Sequence, residues 1–68
     1  MNRRLVFRQP HGSLVTLTQT PILLQRVVRV RDDWPNWSER LEGPFEHPDR
    51  VWDAWEAFER RIGSEEIP

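Results

Sequence analysis

An α+β fold is what this sequence predicts, and three observations predict it. Two stretches near the N-terminus alternate apolar with polar residues, a third is rich in β-branched residues, and a last one repeats apolar residues at helical spacing. Proline and glycine fall between these stretches. The expected architecture is a three-stranded antiparallel meander over about 3–8, 13–18 and 22–31. A short helical segment follows at about 34–42, then a C-terminal amphipathic helix at about 48–62 packed on one sheet face.

In the first stretch, Leu5 and Phe7 share one parity, and Arg4, Val6 and Arg8 share the other, as in a half-buried strand. Gln9-Pro10-His11-Gly12 reads as a turn, since proline presets one backbone angle and glycine takes a positive one. The alternation resumes at Ser13 with Val15 and Leu17 inward, so the two strands make an antiparallel hairpin. Gln19-Thr20-Pro21 is a second break. In the third strand the better core parity is Ile22, Leu24, Arg26, Val28 and Val30, with Arg26 as its flaw. A slip of one residue would exchange the two faces.

Asp32-Asp33 closes that strand. Trp34, Trp37 and Leu41 are spaced three and four apart, with Pro35 early and Gly43 after them, which suggests a short helix. Phe45, in the stiff Gly43–Pro48 connection, is expected to tuck under the final helix. There, Val51, Trp55, Phe58 and Ile62 form the apolar stripe, with Trp52 flanking it. Pro48 suits the first turn and Gly63 the left-handed stop. Residues 64–68 read as a loose acidic tail on a single small domain spanning 1–68.

With 68 residues and no cysteine, neither disulfides nor thiolate metal sites are available, so stability rests on packing or association. Four tryptophans enrich the apolar area. The net charge of −1 conceals a division: residues 1–31 hold six arginines and no acid, while residues 32–68 hold eleven acids and four arginines. Such a chain either neutralises itself internally or offers two faces to different partners. No stretch approaches the roughly 20 apolar residues a bilayer span needs, and a cytoplasmic location is expected.

Catalytic chemistry is hard to assemble. The chain lacks Cys, Lys and Tyr, and its bases are His11, His47 and carboxylates. Its three glycines stand as punctuation and form no phosphate loop. No enzyme activity, cofactor, metal or small-molecule substrate is therefore expected. The expected function is a small non-catalytic protein-interaction module: an accessory subunit, regulator, inhibitor or self-associating unit. Trp34, Trp37, Trp52 and Arg60 are its candidate protein contacts, because tryptophan and arginine are enriched at binding hot spots. Arg4, Arg8, Arg29 and Arg31 form a candidate anion-facing surface on the outer sheet face, beside Thr16 and Thr18. The alternative is a nucleic-acid-binding protein using that face, and a second alternative is an acidic mimic of nucleic acid. Whether the four indoles are core or interface is left open by the pattern alone.

Overall fold

A computed structural model describes residues 2–29, 37–43 and 47–68, and of residues 37, 39, 41 and 42 the backbone only. The chain is an α+β protein. Its antiparallel sheet comprises β1 (Arg3–Arg8), β2 (Leu14–Thr20), β3 (Leu23–Arg29) and β4 (Trp37–Glu42), with one helix, α1 (Pro48–Arg61), and a three-residue edge strand, β5 (Glu65–Ile67). The spatial order is β4-β3-β2-β1-β5, so the first four strands form a meander and the chain returns past α1 to the far edge.

The β1–β2 hairpin closes through the turn expected at Gln9–Gly12. The Gly12 amide donates to the Gln9 carbonyl at 2.8 Å and Gly12 takes φ 102°. β2 runs further than its sequence suggests, because Thr20 pairs with Leu23 and the turn tightens to Pro21-Ile22. Ile22, expected in the core, consequently sits at the tip with 73% of its surface exposed.

The short helix expected at about 34–42 is corrected to a strand over residues 37–42. Read at period two, Trp37, Glu39 and Leu41 share one parity and Ser38, Arg40 and Glu42 the other. Pairing with β3 sets Trp37 opposite Val28, Glu39 opposite Arg26 and Leu41 opposite Leu24. Six ladder positions outweigh the two turns of helix these residues could form, which are marginal without packing. Trp34 and Phe45 lie outside the described residues, as do the ends expected for the third strand at Val30 and Arg31.

The tail expected to be loose is also corrected. Val6 pairs with Ile67, Phe7 with Glu66 and Arg8 with Glu65. The helix stop makes this return possible. Gly63 takes φ 85°, its amide donates to the Arg60 carbonyl at 3.2 Å, and the Ser64 amide donates to the Glu59 carbonyl at 2.9 Å. That pair of bonds is a Schellman closure, which turns the chain sharply back toward β1.

The core lies between one sheet face and α1: Phe7, Val15, Leu17, Leu24 and Trp52 are buried, with Leu5, Val28, Val51 and Trp55 packed against them. The expected stripe on α1 is rotated. Trp52 is 2% exposed, whereas Phe58 is 44% exposed. The buried face is thus centred about 50° from the Val51-Trp55-Phe58-Ile62 line. Glu59 is the reason: its carboxylate points inward and has no exposed surface.

Candidate functional site

Two sheet arginines bind α1 to the inner face. Arg26 Nη2 lies 3.0 Å from Glu59 Oε2, while Gln9 Nε2 (3.2 Å) and the Ser64 hydroxyl (2.8 Å) donate to Glu59 Oε1. At the other end of the helix, Arg3 Nη2 donates to Asp49 Oδ1 at 2.9 Å and its Nε to Gln19 Oε1 at 2.6 Å. The Arg3 guanidinium also lies 4.2 Å from the centre of the Trp52 ring, an attractive cation–π arrangement. Among the described residues no buried side-chain polar atom lacks a hydrogen-bond partner. Part of the basic first half is therefore neutralised by the acidic second half of the same chain, buried at Glu59 and at the surface at Asp49.

Arg60 is used in a similar way. It donates to Glu56 at 2.9 Å and to Glu66 at 2.9 Å, joining α1 to β5, and its guanidinium lies 5.4 Å from the Phe7 ring centre. The hydrogen bonds it donates to Glu66 and then to Glu56 raise its pKa above the ordinary arginine value. Trp52, expected to flank the stripe partly exposed, is buried and donates its indole N–H to Glu56 at 3.1 Å. Of the four expected protein contacts, then, Trp52 is core and Arg60 is held in internal ion pairs. Trp37 belongs to β4, and Trp34 lies outside the described residues.

The second group fares differently. Register places Arg4, Thr18, Gln25 and Arg40 in one row across the outer face, and Glu65, Arg8, Leu14 and Arg29 in another, so that an exposed carboxylate stands at the β5 edge opposite Arg8. Between them runs a row of smaller residues: Ile67, Val6, Thr16, Val27 and Ser38. Arg31 lies outside the described residues. Arg4, Arg8 and Arg29 are exposed, and none of them makes an ion pair or hydrogen-bonded side-chain contact among the described residues. Arg40 is exposed but partnered.

A depression of about 250 Å³ sits in this face, lined by Arg4, Val6, Leu14, Thr16, Val27 and Arg29. With strands about 4.8 Å apart and a rise of about 3.3 Å per residue, Arg4 and Arg8 stand roughly 13 Å apart along β1 and Arg29 roughly 10 Å across from Arg8. The surface can therefore hold two or three anionic groups around a small apolar floor. Among the described residues its hydroxyls are those of Thr16, Thr18 and Ser38, all on regular strands and none beside a histidine.

The inner network was missed in the sequence, although two signs were present. Arg26 broke the core parity of its strand, and an acid of opposite sign, Glu59, lay one position beyond the expected helix stripe. Among the described residues no cluster of three or more His, Asp or Glu side chains could hold a metal ion. Likewise, no described helix is long and apolar enough to cross a membrane.

Fold and surface together define a small α+β chain with one helix-covered sheet face and one arginine-bearing face that no described element covers. Comparison with family models, curated proteins and solved structures finds no match to it.

Proposed function

We propose that this chain is a non-catalytic protein-interaction module that docks through the outer face of its sheet. The observation carrying this reading is the contrast between two sets of arginines. Arg3, Arg26 and Arg60 are paired with carboxylates of the same chain, whereas Arg4, Arg8 and Arg29 have no ion pair among the described residues. Forked guanidinium groups left facing solvent beside an apolar floor suit recognition of carboxylates on a partner. The buried Trp52 and the internally paired Arg60 shift the contact surface away from α1 and onto the sheet.

Nucleic-acid binding is the second reading, favoured by the same arginines lying beside Thr16 and Thr18. Against it, the described outer face carries no aromatic side chain on which a base could stack. The mimicry reading loses ground too, because Asp49, Glu56, Glu59 and Glu66 are bound to arginines of the chain itself.

A photo-crosslinking residue placed at Thr16, and separately at Asp53 on the exposed side of α1, tests this in cells that carry the protein. Adducts with protein from Thr16 but not Asp53, lost in an Arg4→Ala, Arg29→Ala background, are expected. Adducts from Asp53 alone would overturn the reading. Nuclease-sensitive adducts from Thr16 would put the nucleic-acid reading in its place.

A further inference from the structure

The partner's chemistry can be narrowed, on the footing that the outer sheet face is the docking surface. We infer that this face receives an acidic amphipathic helix of another protein, its apolar stripe on Val6, Leu14 and Val27 and its flanking carboxylates on Arg4, Arg8 and Arg29. The inner face supplies the template. There the chain's own 14-residue helix is held by apolar packing plus two sheet arginines, Arg3 on Asp49 and Arg26 on Glu59. Those two carboxylates, ten residues apart, are separated by about 15 Å along a helix.

The outer face carries a comparable diagonal without an occupant from the described chain, Arg4 on β1 and Arg29 on β3, as Arg3 on β1 and Arg26 on β3 stand beneath α1. Arg4 and Arg8 are roughly 13 Å apart along β1, the rise of about nine helical residues, and Arg29 stands on the opposite side of β2. Over β2 the face carries Leu14 between Arg8 and Arg29, Thr16 between Val6 and Val27, and Thr18 beside Arg4, so its middle is aliphatic and its corners are cationic. A helix laid on top of β2 reaches the side chains of both neighbouring strands, since it is about 10–12 Å across with its side chains and β1 and β3 lie about 10 Å apart. An aliphatic floor bounded by cations is the complement of an apolar stripe bounded by carboxylates.

Other occupants fit this face less well. A second copy stacked face to face would set arginine against arginine, which costs energy across an interface. The exterior of α1 in a second copy is mixed in sign, since Arg50 and Arg61 are exposed alongside Asp49 and Asp53. Nucleic acid would leave Val6, Leu14 and Val27 against sugar and phosphate, where interfaces are more polar than this.

The test uses four fluorescent probes, read by anisotropy at low and moderate salt. They are a helical peptide with a Leu/Val stripe flanked by Glu, the same stripe flanked by Lys, a composition-matched scramble of the Glu peptide, and a DNA duplex. The Glu-flanked helix is expected to bind tightest, more weakly as salt rises. Its affinity should fall at least about tenfold in Arg4→Ala, Arg29→Ala and in Val27→Asp, a fold-change worth about 1.4 kcal/mol. Arg61→Ala, an exposed arginine off the face, should leave it unchanged. Equal binding of the scramble would show a general polyanion surface and overturn the helix. Tighter binding of the duplex, or loss of binding in Arg61→Ala, would overturn it too. If the helix peptide fails while Thr16 still traps a protein in cells, the partner chemistry falls and the docking face stands. If only Asp53 traps a protein, both fall.

Discussion

Arg26 on β3 and Glu59 on α1 meet at 3.0 Å, and the glutamate has no exposed side-chain surface. The two residues are 33 positions apart in the chain, and their contact fixes both the rotation of the helix and the parity of the strand beneath it. Gln9 and Ser64 also donate to the carboxylate, so three side chains of the chain share its buried charge.

Breaking one side of this pair should be far worse than removing both. Arg26→Leu leaves a buried carboxylate short of its charged partner, a change expected to cost about 3–5 kcal/mol. For Arg26→Leu combined with Glu59→Leu the loss should be much smaller, because the uncompensated charge is gone. Urea unfolding of the two single variants and the double variant measures the coupling. A double variant as unstable as the sum of the singles would remove the pair from the account of stability.

Much of the fold was legible because its signals are local. Strand parity over residues 3–8 and 14–17, the Pro10–Gly12 turn and the Gly63 stop all come from short-range patterns, and each is present. Residues 37–42 and 65–67 were misread because their short segments take their structure from neighbours far along the chain, β3 and β1 respectively. Trp52 and Phe58 were exchanged for a similar reason. A stripe drawn from apolar residues alone cannot admit Glu59, whose inward carboxylate is tolerable because Arg26, Gln9 and Ser64 converge on it. Arg4, Arg8 and Arg29 were legible as outer-face residues from strand parity, whereas Arg40 joins them only because 37–42 pairs with β3.

The rotated helix face makes a second measurable contrast. Trp52→Ala removes a buried indole from the core and should cost about 3–5 kcal/mol. Phe58→Ala acts on a ring that is 44% exposed and should cost about 1 kcal/mol or less. Thermal unfolding of the two variants decides the orientation. The reverse order would restore the stripe expected from the sequence.

Gly63 carries the helix stop through its backbone conformation and not through lack of space. A Cβ there would find its nearest neighbour, Pro10 Cγ, at an ordinary 3.8 Å. The φ of 85° is what an L residue resists, so Gly63→Ala should cost about 1–2 kcal/mol. Gly63→Asn should lose less, since asparagine tolerates the left-handed region better. Denaturant midpoints for the two variants give the comparison, and equal losses would point to crowding instead.

The return strand β5 depends on Arg60, which reaches Glu66 on β5 and Glu56 on α1 from one guanidinium. Because these contacts raise the Arg60 pKa, the stability they contribute is complete below the ordinary arginine pKa. It is lost only as pH rises through the raised value, so mild alkali should leave β5 in place. Removing the cation should not. In Arg60→Gln the amides of residues 65–67 are expected to exchange with solvent faster, while those of the central strand β2 keep their protection. Ser64→Ala should weaken the same corner from the other side by about 1 kcal/mol, through the lost hydrogen bond to Glu59. Exchange that quickened equally in β2 and β5 would mean that the edge strand has no separate opening, and that Arg60 supports the whole domain.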